Sequence, residues 1–430
     1  MTDTKSPEHL DPQAGDWFAA ARFGLFIHWG LYALAGRHEW VRNREELTDD
    51  AYDRYFRRFE PDRFDPVSWA RQAKSAGMRY IVITTKHHDG FCLWDSALTD
   101  YTVMRTPFAR DVLAEILEAF RAEGLQIGLY HSLIDWHHPD FPIDGLHPQR
   151  NDANAIKSNT ERDISKYVDY LHGQVAELLT NYGQIDYLFF DYSYRDAVWG
   201  GKGAADWRST ELLELVRRLQ PDVLVNDRLD IPGDLVTPEQ YQPYAAMSVD
   251  GYPARWEACQ TFNGSWGYDR DNQDWKSVDL LVRMLVDTVS KGGNLLLNVG
   301  PNGRGEFEPR AQDRLRGVGE WLRLHNRSIY DCGATPFLAP PDTRYTARGD
   351  RLYLHLFAWP FQHVHLPGLA GRVAYAQFLH DASEVAMTVI APDAKAQNMA
   401  MGGLPAGTLT LELPVQKPDV TVPVVELFLS

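Results

Sequence analysis

The stretch Tyr187-Leu188-Phe189-Phe190-Asp191-Tyr192 is an apolar run that delivers one carboxylate at its end. A charge placed there is costly to bury unless something uses it. Five other apolar runs in the first part of the chain also end in polar or charged clusters, at residues 23–30, 80–88, 125–132, 223–228 and 294–299. In a parallel barrel the carboxyl ends of the strands meet at one mouth, where such barrels carry their chemistry. The pattern therefore predicts a functional site around Asp191.

Amphipathic helical segments alternate with these runs. Their apolar residues recur with the 3.6-residue period of a helix, and glycine follows several of them. The predicted helices cover residues 65–76, 111–123, 163–181, 210–219, 278–291 and 309–324. This alternation is typical of repeated β-α units, so we expect a (β/α)8-like TIM barrel over residues 16–334. An open doubly wound sheet is the alternative, which is disfavoured because the chain lacks a glycine-rich dinucleotide fingerprint and a phosphate-binding loop.

The pattern changes after the predicted barrel. Residues 335–341 contain three prolines and are predicted to be a linker. Beyond them, short alternating runs are separated by Pro and Gly turns, which is typical of an antiparallel sheet. We therefore predict a C-terminal antiparallel β-sandwich domain over residues 335–430, with strands at 351–357, 373–379, 408–413 and 420–429. Residues 1–15 are polar and predicted to be a flexible N-terminus.

Composition restricts the partners and the location of the protein. The chain has 43 basic and 59 acidic side chains and a net charge of -16, which argues against nucleic acid or an anionic membrane as a partner. No run approaches the ~18–20 apolar residues of a membrane-spanning helix, and the amino terminus lacks the pattern of a secretory signal. Three cysteines without a CxxC pair fit a reducing compartment. We expect a cytoplasmic protein, and a homo-oligomer is compatible with the sequence.

Histidine and aromatic side chains gather at the predicted strand ends. His28 ends the first run, residues 38–40 (HEW) follow on the next loop, and residues 86–91 (KHHDGF) close the second run. A lone histidine at such a place is more often a core residue, but several together with nearby carboxylates indicate a site. Neutral imidazoles and a tryptophan face suit the hydroxyls and the apolar edge of a sugar ring.

Adjacent histidines also raise the alternative of a metal-dependent barrel hydrolase. His87, His88 and Asp89 would then hold a divalent ion. Side chains alternate along a strand, so His87 and His88 could bind one ion only where the strand has given way to a loop. The chain has no HxH pair, which would direct two rings to one side of a strand. We therefore expect no metal and no organic cofactor.

Two carboxyl groups suit the hydrolysis of a glycosidic bond. That reaction needs an ionised carboxylate against the anomeric carbon and a protonated carboxyl against the leaving oxygen. Asp191 on a rigid strand suits the first task, and Glu239 on a loop suits the second. Each residue alone also has an ordinary role, Asp191 as a cap and Glu239 as a solvated acid. The assembled set of residues favours the catalytic interpretation.

Taken together, these motifs resemble those of glycoside hydrolase family 29, the retaining α-L-fucosidases. The motifs run in family order from about residue 16 to residue 330, and they read FGLFIHWG, HEW, KHHDGF, YHS, FFD, VNDR, TPEQ, RWE, SWGY and VSKGGNLLLNVGPNGRG. The resemblance implies a barrel followed by a β-sandwich and an exo-acting enzyme on fucosylated oligosaccharides or glycosides. It implies Asp191 as the nucleophile and Glu239 as the general acid/base, with Glu257 in the RWE motif as the alternative acid.

The resemblance also implies the sugar contacts. Arg228 is expected near the reaction centre, and the 6-methyl group of fucose is expected on Phe26 and Trp266. The remaining implied contacts are His28, Glu39, Trp40, His87, His88 and His131. The chain departs from many members at Phe189, Tyr192 and His131, which leaves the shape of the sugar pocket open. A non-catalytic fucose-binding protein is the second alternative, although binding alone requires no carboxyl pair.

Overall fold

Strands and helices alternate through the first three quarters of the chain in a computed structural model that describes residues 16–390, 395–396, 399–400 and 403–430. The predicted flexible segment, residues 1–15, lies outside the described residues. The strands of this region are β1 (Phe23–Ile27), β2 (Tyr80–Lys86), β3 (Gln126–Ser132), β4 (Tyr187–Asp191), β5 (Leu224–Val225), β6 (Ser248–Val249), β7 (Tyr252–Pro253), β8 (Glu257–Thr261) and β9 (Asn294–Val299).

Seven of these strands form one parallel sheet in the order β5-β4-β3-β2-β1-β9-β8. Residues 235–239 lie between the two edge strands. Leu235 is bridged in parallel to Asn226 beside β5, and Val236 and Glu239 are bridged in parallel to Trp256 and Cys259 at β8. The sheet therefore closes through an eighth, weakly paired segment, and the predicted (β/α)8-like barrel is confirmed. β6 and β7 form a separate small hairpin.

Most connections between the barrel strands contain a helix. The helices are α1 (Trp17–Ala21), α2 (Tyr32–Ala35), α3 (Val41–Arg44), α4 (Asp49–Phe56), α5 (Pro66–Ser75), α6 (Val112–Ala122), α7 (Ala153–Lys157), α8 (Ile164–Asn181), α9 (Ala204–Trp207), α10 (Ser209–Leu219), α11 (Val278–Ser290) and α12 (Pro309–His325). Side chains cap several amino termini, as Asp65, Asp111 and Ser277 do. Within the described residues, no α-helix lies between β5 and the closing segment 235–239, or between that segment and β8.

The interior of the barrel is filled by side chains from alternate strand positions. Phe26 contacts Phe189 at a ring distance of 5.1 Å and Tyr130 at 5.9 Å. Gly24, one pleat below Phe26, leaves room for Tyr80, since a Cβ there would lie 2.4 Å from the tyrosine ring. The alternation means that residues of one parity in each strand face the interior and the mouth above it.

The C-terminal region forms two antiparallel sheets, of four and three strands, and a separate two-stranded hairpin. Its strands are β10 (Thr343–Arg348), β11 (Arg351–Leu356), β12 (His363–Leu366), β13 (Val373–Phe378), β14 (Ala386–Thr388), β15 (Lys395–Ala396), β16 (Met399–Ala400), β17 (Leu409–Glu412) and β18 (Val424–Leu429). A four-stranded sheet of order β10-β11-β18-β13 and a three-stranded sheet of order β12-β17-β14 enclose a separate apolar core that includes Leu354, Leu366 and Leu411. The predicted β-sandwich is confirmed.

The barrel and the sandwich are joined by direct packing. The indole N–H of Trp321 in α12 donates to the carbonyl of Val422 at 3.0 Å. Val424 of β18 belongs to the apolar cluster of the barrel, not to that of the sandwich. The domain boundary at residue 334 stays a prediction. Among the described helices, none combines the length and the apolar character that a membrane-spanning helix needs.

Candidate active site

Asp191 lies at the carboxyl end of β4, and 14% of its side chain is exposed. The hydroxyl of Tyr130 donates to Oδ2 at 2.8 Å, and Arg228 donates from Nη1 to Oδ1 at 2.7 Å. His88 Nε2 lies 3.9 Å from Oδ2. Burial and the charge of Asp191 raise the pKa of Tyr130 well above its usual value, so the hydroxyl keeps its proton and acts as a donor. Both carboxylate oxygens are thus oriented while the group stays accessible.

One nitrogen of Arg228 connects Asp191 to Glu239. Nη1 lies 2.7 Å from Asp191 Oδ1 and 2.7 Å from Glu239 Oε2. Two oxygens that each lie 2.7 Å from the same nitrogen are at most ~5.4 Å apart. This limit is compatible with the ~5–5.5 Å carboxyl separation of retaining glycosidases and is shorter than the ~6.5–9.5 Å of inverting ones. Burial lowers the pKa of Arg228, but the charge of Asp191 and other neighbours raises it well above its usual value overall. Arg228 is therefore a permanent cation between the two carboxyl groups.

Glu239 ends the segment that closes the barrel. The N–H of Cys259 in β8 donates to the carbonyl of Pro238 at 3.0 Å, and the N–H of Gln240 donates to the carbonyl of Cys259 at 3.0 Å. Glu239 lies outside the strands, in keeping with the predicted loop, and an isolated parallel bridge to Cys259 holds its backbone beside β8. Its side chain is 41% exposed, and a half-exposed ion pair contributes only ~0–1 kcal/mol. Glu239 can therefore leave Arg228 at small cost.

His28 lies beside an aromatic surface at the mouth. Asn298 Nδ2 donates to the carbonyl of Trp266 at 2.6 Å, so Asn298 Oδ1 faces His28 Nδ1 at 2.7 Å and accepts a hydrogen bond from its N–H. Burial lowers the pKa of His28 to about 3, so the ring is neutral and Nε2 is left as an acceptor. The Trp266 ring lies 5.1 Å from His28 and 5.7 Å from Phe26. The predicted contacts Phe26, His28 and Trp266 therefore form one cluster.

His87 and His88 follow β2 where its pairing with β3 shifts register between Thr84 and Lys86. This irregularity breaks the alternation of side chains, and the two rings lie side by side with centroids 4.0 Å apart. His88 Nδ1 lies 2.7 Å from Ser132 Oγ. Burial lowers the pKa of His87 well below its usual value and that of His88 to about 3. Both rings are neutral and lie at the mouth.

Glu39 and Trp40 reach the mouth from the loop before α3. The N–H of Gly267 donates to Glu39 Oε2 at 2.8 Å, and burial raises the pKa of Glu39 to about 7. Trp40 packs against His88 at a ring distance of 5.1 Å and against Tyr192 at 5.3 Å. Tyr192 has a φ of 81°, which is unusual for a residue with a side chain. The left-handed backbone directs its ring toward the histidines.

The metal alternative is not favoured by the arrangement of its predicted ligands. Asp89 Oδ2 accepts from the Tyr52 hydroxyl of α4 at 2.8 Å, and Asp89 Oδ1 accepts from the N–H of Phe91 at 3.3 Å. These contacts direct the carboxylate toward the helix and its own turn. Among the described residues there is no group of three or more His, Cys, Asp or Glu side chains that could hold a metal ion.

His131 is not part of this cluster, so its predicted sugar contact is wrong. Its Nδ1 lies 2.9 Å from Thr85 Oγ1, and its ring packs 5.9 Å from Trp94, in the layer between the strands and the helices. Tyr130, one residue earlier, has the opposite parity and reaches Asp191 instead. The signal was present in the sequence, because side chains alternate along a strand and Tyr130 shares its face with the barrel interior.

Glu257, the alternative acid, lies at the opposite end of the barrel. It is the first residue of β8 and is fully buried. Its carboxyl group contacts the hydroxyl of Tyr80, and the hydroxyl of Tyr187 donates to Oε1 at 3.1 Å. Both tyrosines begin their strands, and Phe18 of α1 packs on them at ring distances of 5.7 and 6.0 Å. Burial raises the pKa of Glu257 to about 8. A substrate at the mouth cannot reach this group.

The structure thus brings most of the predicted residues to one mouth. His131 and Glu257 lie elsewhere. Four residues that the sequence interpretation did not use as contacts join the site: Tyr130, Ser132, Tyr192 and Asn298. Each of them orients a predicted residue or packs against one.

The family model and the curated relatives that match this chain are all described as alpha-L-fucosidases. A family model described as alpha-L-fucosidase matches residues 3–327. The chain is 31% identical over 391 residues to plasma alpha-L-fucosidase of Homo sapiens, covering 82% of this chain and 78% of the human protein. It is 31% identical over 378 residues to tissue alpha-L-fucosidase of Rattus norvegicus, covering 80% of this chain and 76% of the rat protein.

Solved structures of this kind superpose on nearly the whole chain. Alpha-L-fucosidase isoenzyme 1 from Paenibacillus thiaminolyticus matches with a TM-score of 0.89 and 45% identity, covering 97% of this chain and 99% of that chain. A GH29 alpha-L-fucosidase from Bacteroides thetaiotaomicron, trapped as a covalent intermediate in complex with 2-fluoro-fucosyl fluoride, matches with a TM-score of 0.81 and 27% identity, covering 96% and 95% of the two chains. Both the barrel and the sandwich are therefore shared.

Proposed function

The chain belongs to glycoside hydrolase family 29, the α-L-fucosidases, and on that premise we propose that it removes terminal α-L-fucose with retention, using Asp191 as nucleophile and Glu239 as general acid/base. The observation that carries the proposal is the shared contact of both carboxyl groups with Arg228 Nη1. The resulting limit of ~5.4 Å between these two oxygens supports the short carboxyl separation of a retaining enzyme over the longer one of an inverting enzyme, which accommodates a water molecule.

The reaction proceeds in two steps. In the first, a carboxylate oxygen of Asp191 forms a bond to the anomeric carbon while the bond to the leaving oxygen breaks and Glu239 gives that oxygen its proton. In the second, ionised Glu239 takes a proton from water, the water oxygen bonds to the anomeric carbon, and Asp191 leaves. Two inversions give net retention, and Glu239 regains its proton for the next cycle.

Arg228 and Tyr130 prepare the nucleophile. They occupy different oxygens of Asp191, so they fix the plane of the carboxylate. Such preorganised donors require no reorientation during the reaction. Because Arg228 also holds Glu239 by a weak, half-exposed contact, substrate entry can release the acid toward the glycosidic oxygen.

The remaining mouth residues suit a small deoxy sugar. His28, His87 and His88 are neutral and present ring nitrogens that can exchange hydrogen bonds with hydroxyls. Among the described residues, His87 Nδ1 has no hydrogen-bond partner, and such a buried polar group requires one. Glu39 Oε1 lies 3.0 Å from His38 Nδ1, so its nearest polar neighbour belongs to the same loop. Phe26 and Trp266 offer an apolar surface for the 6-methyl group. No step in this scheme requires a metal or an organic cofactor.

The proposal is tested by Asp191→Ala on an aryl α-L-fucoside. We expect kcat to fall by about 10⁴-fold, because the variant cannot form the covalent intermediate. Azide should occupy the space left by the missing carboxylate, restore turnover and give a fucosyl azide of inverted anomeric configuration. A panel of aryl glycosides with other sugars, assayed with the wild type, supplies the control for specificity. Unchanged activity of the variant would remove Asp191 from its role.

We also propose that the protein works in a reducing compartment, with the cytoplasm as the expected one. Cys92, Cys259 and Cys332 are all buried as free thiols, which supports this location. Labelling with a maleimide after denaturation without reductant should modify three thiols per chain. Fewer labelled thiols in protein taken directly from cells would indicate disulfide formation and contradict the location.

A further inference from the structure

A cavity of about 600 Å³ opens next to Asp191. Its lining includes Asp191 and Arg228 of the reaction centre together with Leu146, Tyr192 and Trp199. This volume is in the range of small-ligand sites. Tyr192 also packs on Trp40 and His88 at the mouth, at ring distances of 5.3 and 4.9 Å. The cavity is therefore continuous with the mouth, and it lies where the part of a substrate beyond the fucose can extend.

The loop that carries Trp199 is anchored by a buried polar cluster. The Tyr194 hydroxyl and the Lys202 ammonium both contact the Asp144 carboxylate, and Lys202 Nζ lies 2.9 Å from the Tyr194 hydroxyl. The side chains of Asp144 and Lys202 are each only 7% exposed. In addition, the N–H of Tyr194 donates to the carbonyl of Lys202 at 2.8 Å, which closes the loop at its base. The loop is thus held in a defined position above β4.

Trp199 is fixed at the tip of this loop by contact with a glycine. The N–H of Gly145 donates to the carbonyl of Trp199 at 3.2 Å. A Cβ at position 145 would lie 2.9 Å from both the Cα and the ring of Trp199, so only glycine allows this close packing. Even so, 43% of Trp199 remains exposed. A large aromatic side chain held in place and left half in solvent can stack on a sugar ring.

The charges around the cavity indicate the kind of ring it accepts. Asp230 is paired with Arg195, whose Nη2 lies 2.7 Å from Oδ1. Asp227 accepts from the hydroxyl of Thr237 at 2.8 Å. Among the described residues that line the cavity, Arg228 is the one cation, and it already contacts the carboxyl groups of Asp191 and Glu239. The described lining thus carries the carboxyl groups of Asp191, Asp227 and Asp230 against one guanidinium, and this excess of acidic groups favours a neutral, hydroxyl-rich ring over an acidic sugar.

We infer that this cavity is the aglycone subsite and that Trp199 is its stacking platform for a neutral sugar ring next to the fucose. The inference rests on the proposed function. Trp199 acts by binding the departing part of the substrate, and it does not touch the atoms that react. Its contribution must therefore depend on whether the substrate has a ring in that position.

The test compares two substrates with the variant Trp199→Ala. A neutral fucosyl disaccharide places a sugar ring in the cavity, whereas α-L-fucosyl fluoride has no ring there. We expect kcat/KM for the disaccharide to fall about tenfold, while kcat/KM for the fluoride stays within about twofold. Trp199→Phe should recover most of the loss, since it keeps an aromatic face. Val198→Ala, at the neighbouring position that is 79% exposed, should behave like the wild type with both substrates.

The outcomes separate the inference from the function on which it rests. If the wild type hydrolyses neither substrate, the proposed function fails and the inference fails with it. If the wild type hydrolyses both and Trp199→Ala loses both equally, or loses neither, the fucosidase proposal survives and the subsite assignment is overturned. The preference for a neutral ring would also be overturned if Trp199→Ala lowered kcat/KM more for a sialylated or sulfated fucoside than for the neutral disaccharide.

Discussion

Each end of the barrel holds a carboxyl group that contacts tyrosine hydroxyls, yet the two groups differ in charge and access. At the mouth, Asp191 accepts from Tyr130 and also from Arg228, and part of it is exposed. At the amino-terminal end, Glu257 contacts two tyrosines, is fully buried, and is covered by Phe18 of α1. Burial raises the pKa of Glu257 to about 8. A carboxyl group becomes useful for catalysis where a cation and an opening accompany it.

The two carboxyl environments both follow from the alternation of side chains along the strands, in which every second residue faces the barrel interior. Asp191 ends β4 and Tyr187 begins it, and residues 187, 189 and 191 all face the interior. Polar groups are therefore present at both ends of one interior column, with apolar rings between them. The closed end uses its polar groups for packing and hydrogen bonding, and under the proposed function the open end uses them for chemistry.

Among the changes that compare the two ends of the barrel, removal of the proposed acid should have the largest effect. Glu239→Ala should lower kcat/KM by about 10²–10⁴-fold for fucosides with a poor leaving group, and far less for a dinitrophenyl fucoside, which needs little protonation. Glu257→Gln is the matched control and should show no such dependence on the leaving group. Steady-state kinetics over a series of aryl fucosides measures both variants. If Glu257→Gln shows the steep dependence and Glu239→Ala does not, the assignment of the acid is reversed.

The next effect is a pH dependence of stability, which arises from Glu257 at the closed end of the barrel. The unfolded Glu257 carboxyl ionises near pH 4.5, while the folded one keeps its proton up to about pH 8. Unfolding between these values releases a proton, so this stabilisation is full below pH 4.5 and is lost as pH rises through 8. Between pH 5 and pH 9, the free energy of unfolding of the wild type should fall by on the order of 2–4 kcal/mol more than that of Glu257→Gln.

Denaturant titrations of both proteins across this pH range measure that difference. The glutamine variant keeps a neutral side chain of the same size, so it lacks this contribution to the pH dependence. Parallel curves for the two proteins would show that Glu257 is already ionised in the folded state, and the contrast between the two ends of the barrel would weaken.

The smallest effect concerns the orientation of Asp191. Tyr130→Phe removes the hydroxyl that donates to Oδ2 and should lower kcat by about tenfold, with little change in KM. His131→Gln, at the next position but outside the mouth, should leave both constants near the wild-type values. Equal losses in the two variants would indicate that the changes act through folding of β3 and not through Asp191.

The sequence predicted the barrel because its strands are long apolar runs and its helices have clear caps. It did not predict the closing segment 235–239, which has only a few bridges and contains Pro238, a residue without an N–H to donate. Residues 223–228 were predicted as one strand, but only Leu224–Val225 pair, and a helical turn at Asp227–Leu229 follows. Short edge strands of this kind form only through pairing with strands that are distant in sequence, so a local pattern does not predict them.

Most of the site could be found from the residues that end the strands. Two errors had different causes. His131 was implied by the family resemblance, whereas the alternation of side chains along β3 places Tyr130, and not His131, beside Asp191. Glu257 could be excluded as the acid only when the start of β8 was known, because the first residue of a barrel strand lies at the closed end. The role of Arg228 in contacting both carboxyl groups depends on three separate strand ends and could not be read from any local pattern.

The central claim, that Asp191 is the nucleophile, is tested most directly by trapping the intermediate with 2-deoxy-2-fluoro-fucosyl fluoride. The fluorine slows the second step more than the first, so a covalent adduct should accumulate. Mass spectrometry of the intact protein should show one added fluorofucosyl group, and peptide mapping should place it on Asp191. A label on another residue, or continued turnover with no label on Asp191, would contradict the account.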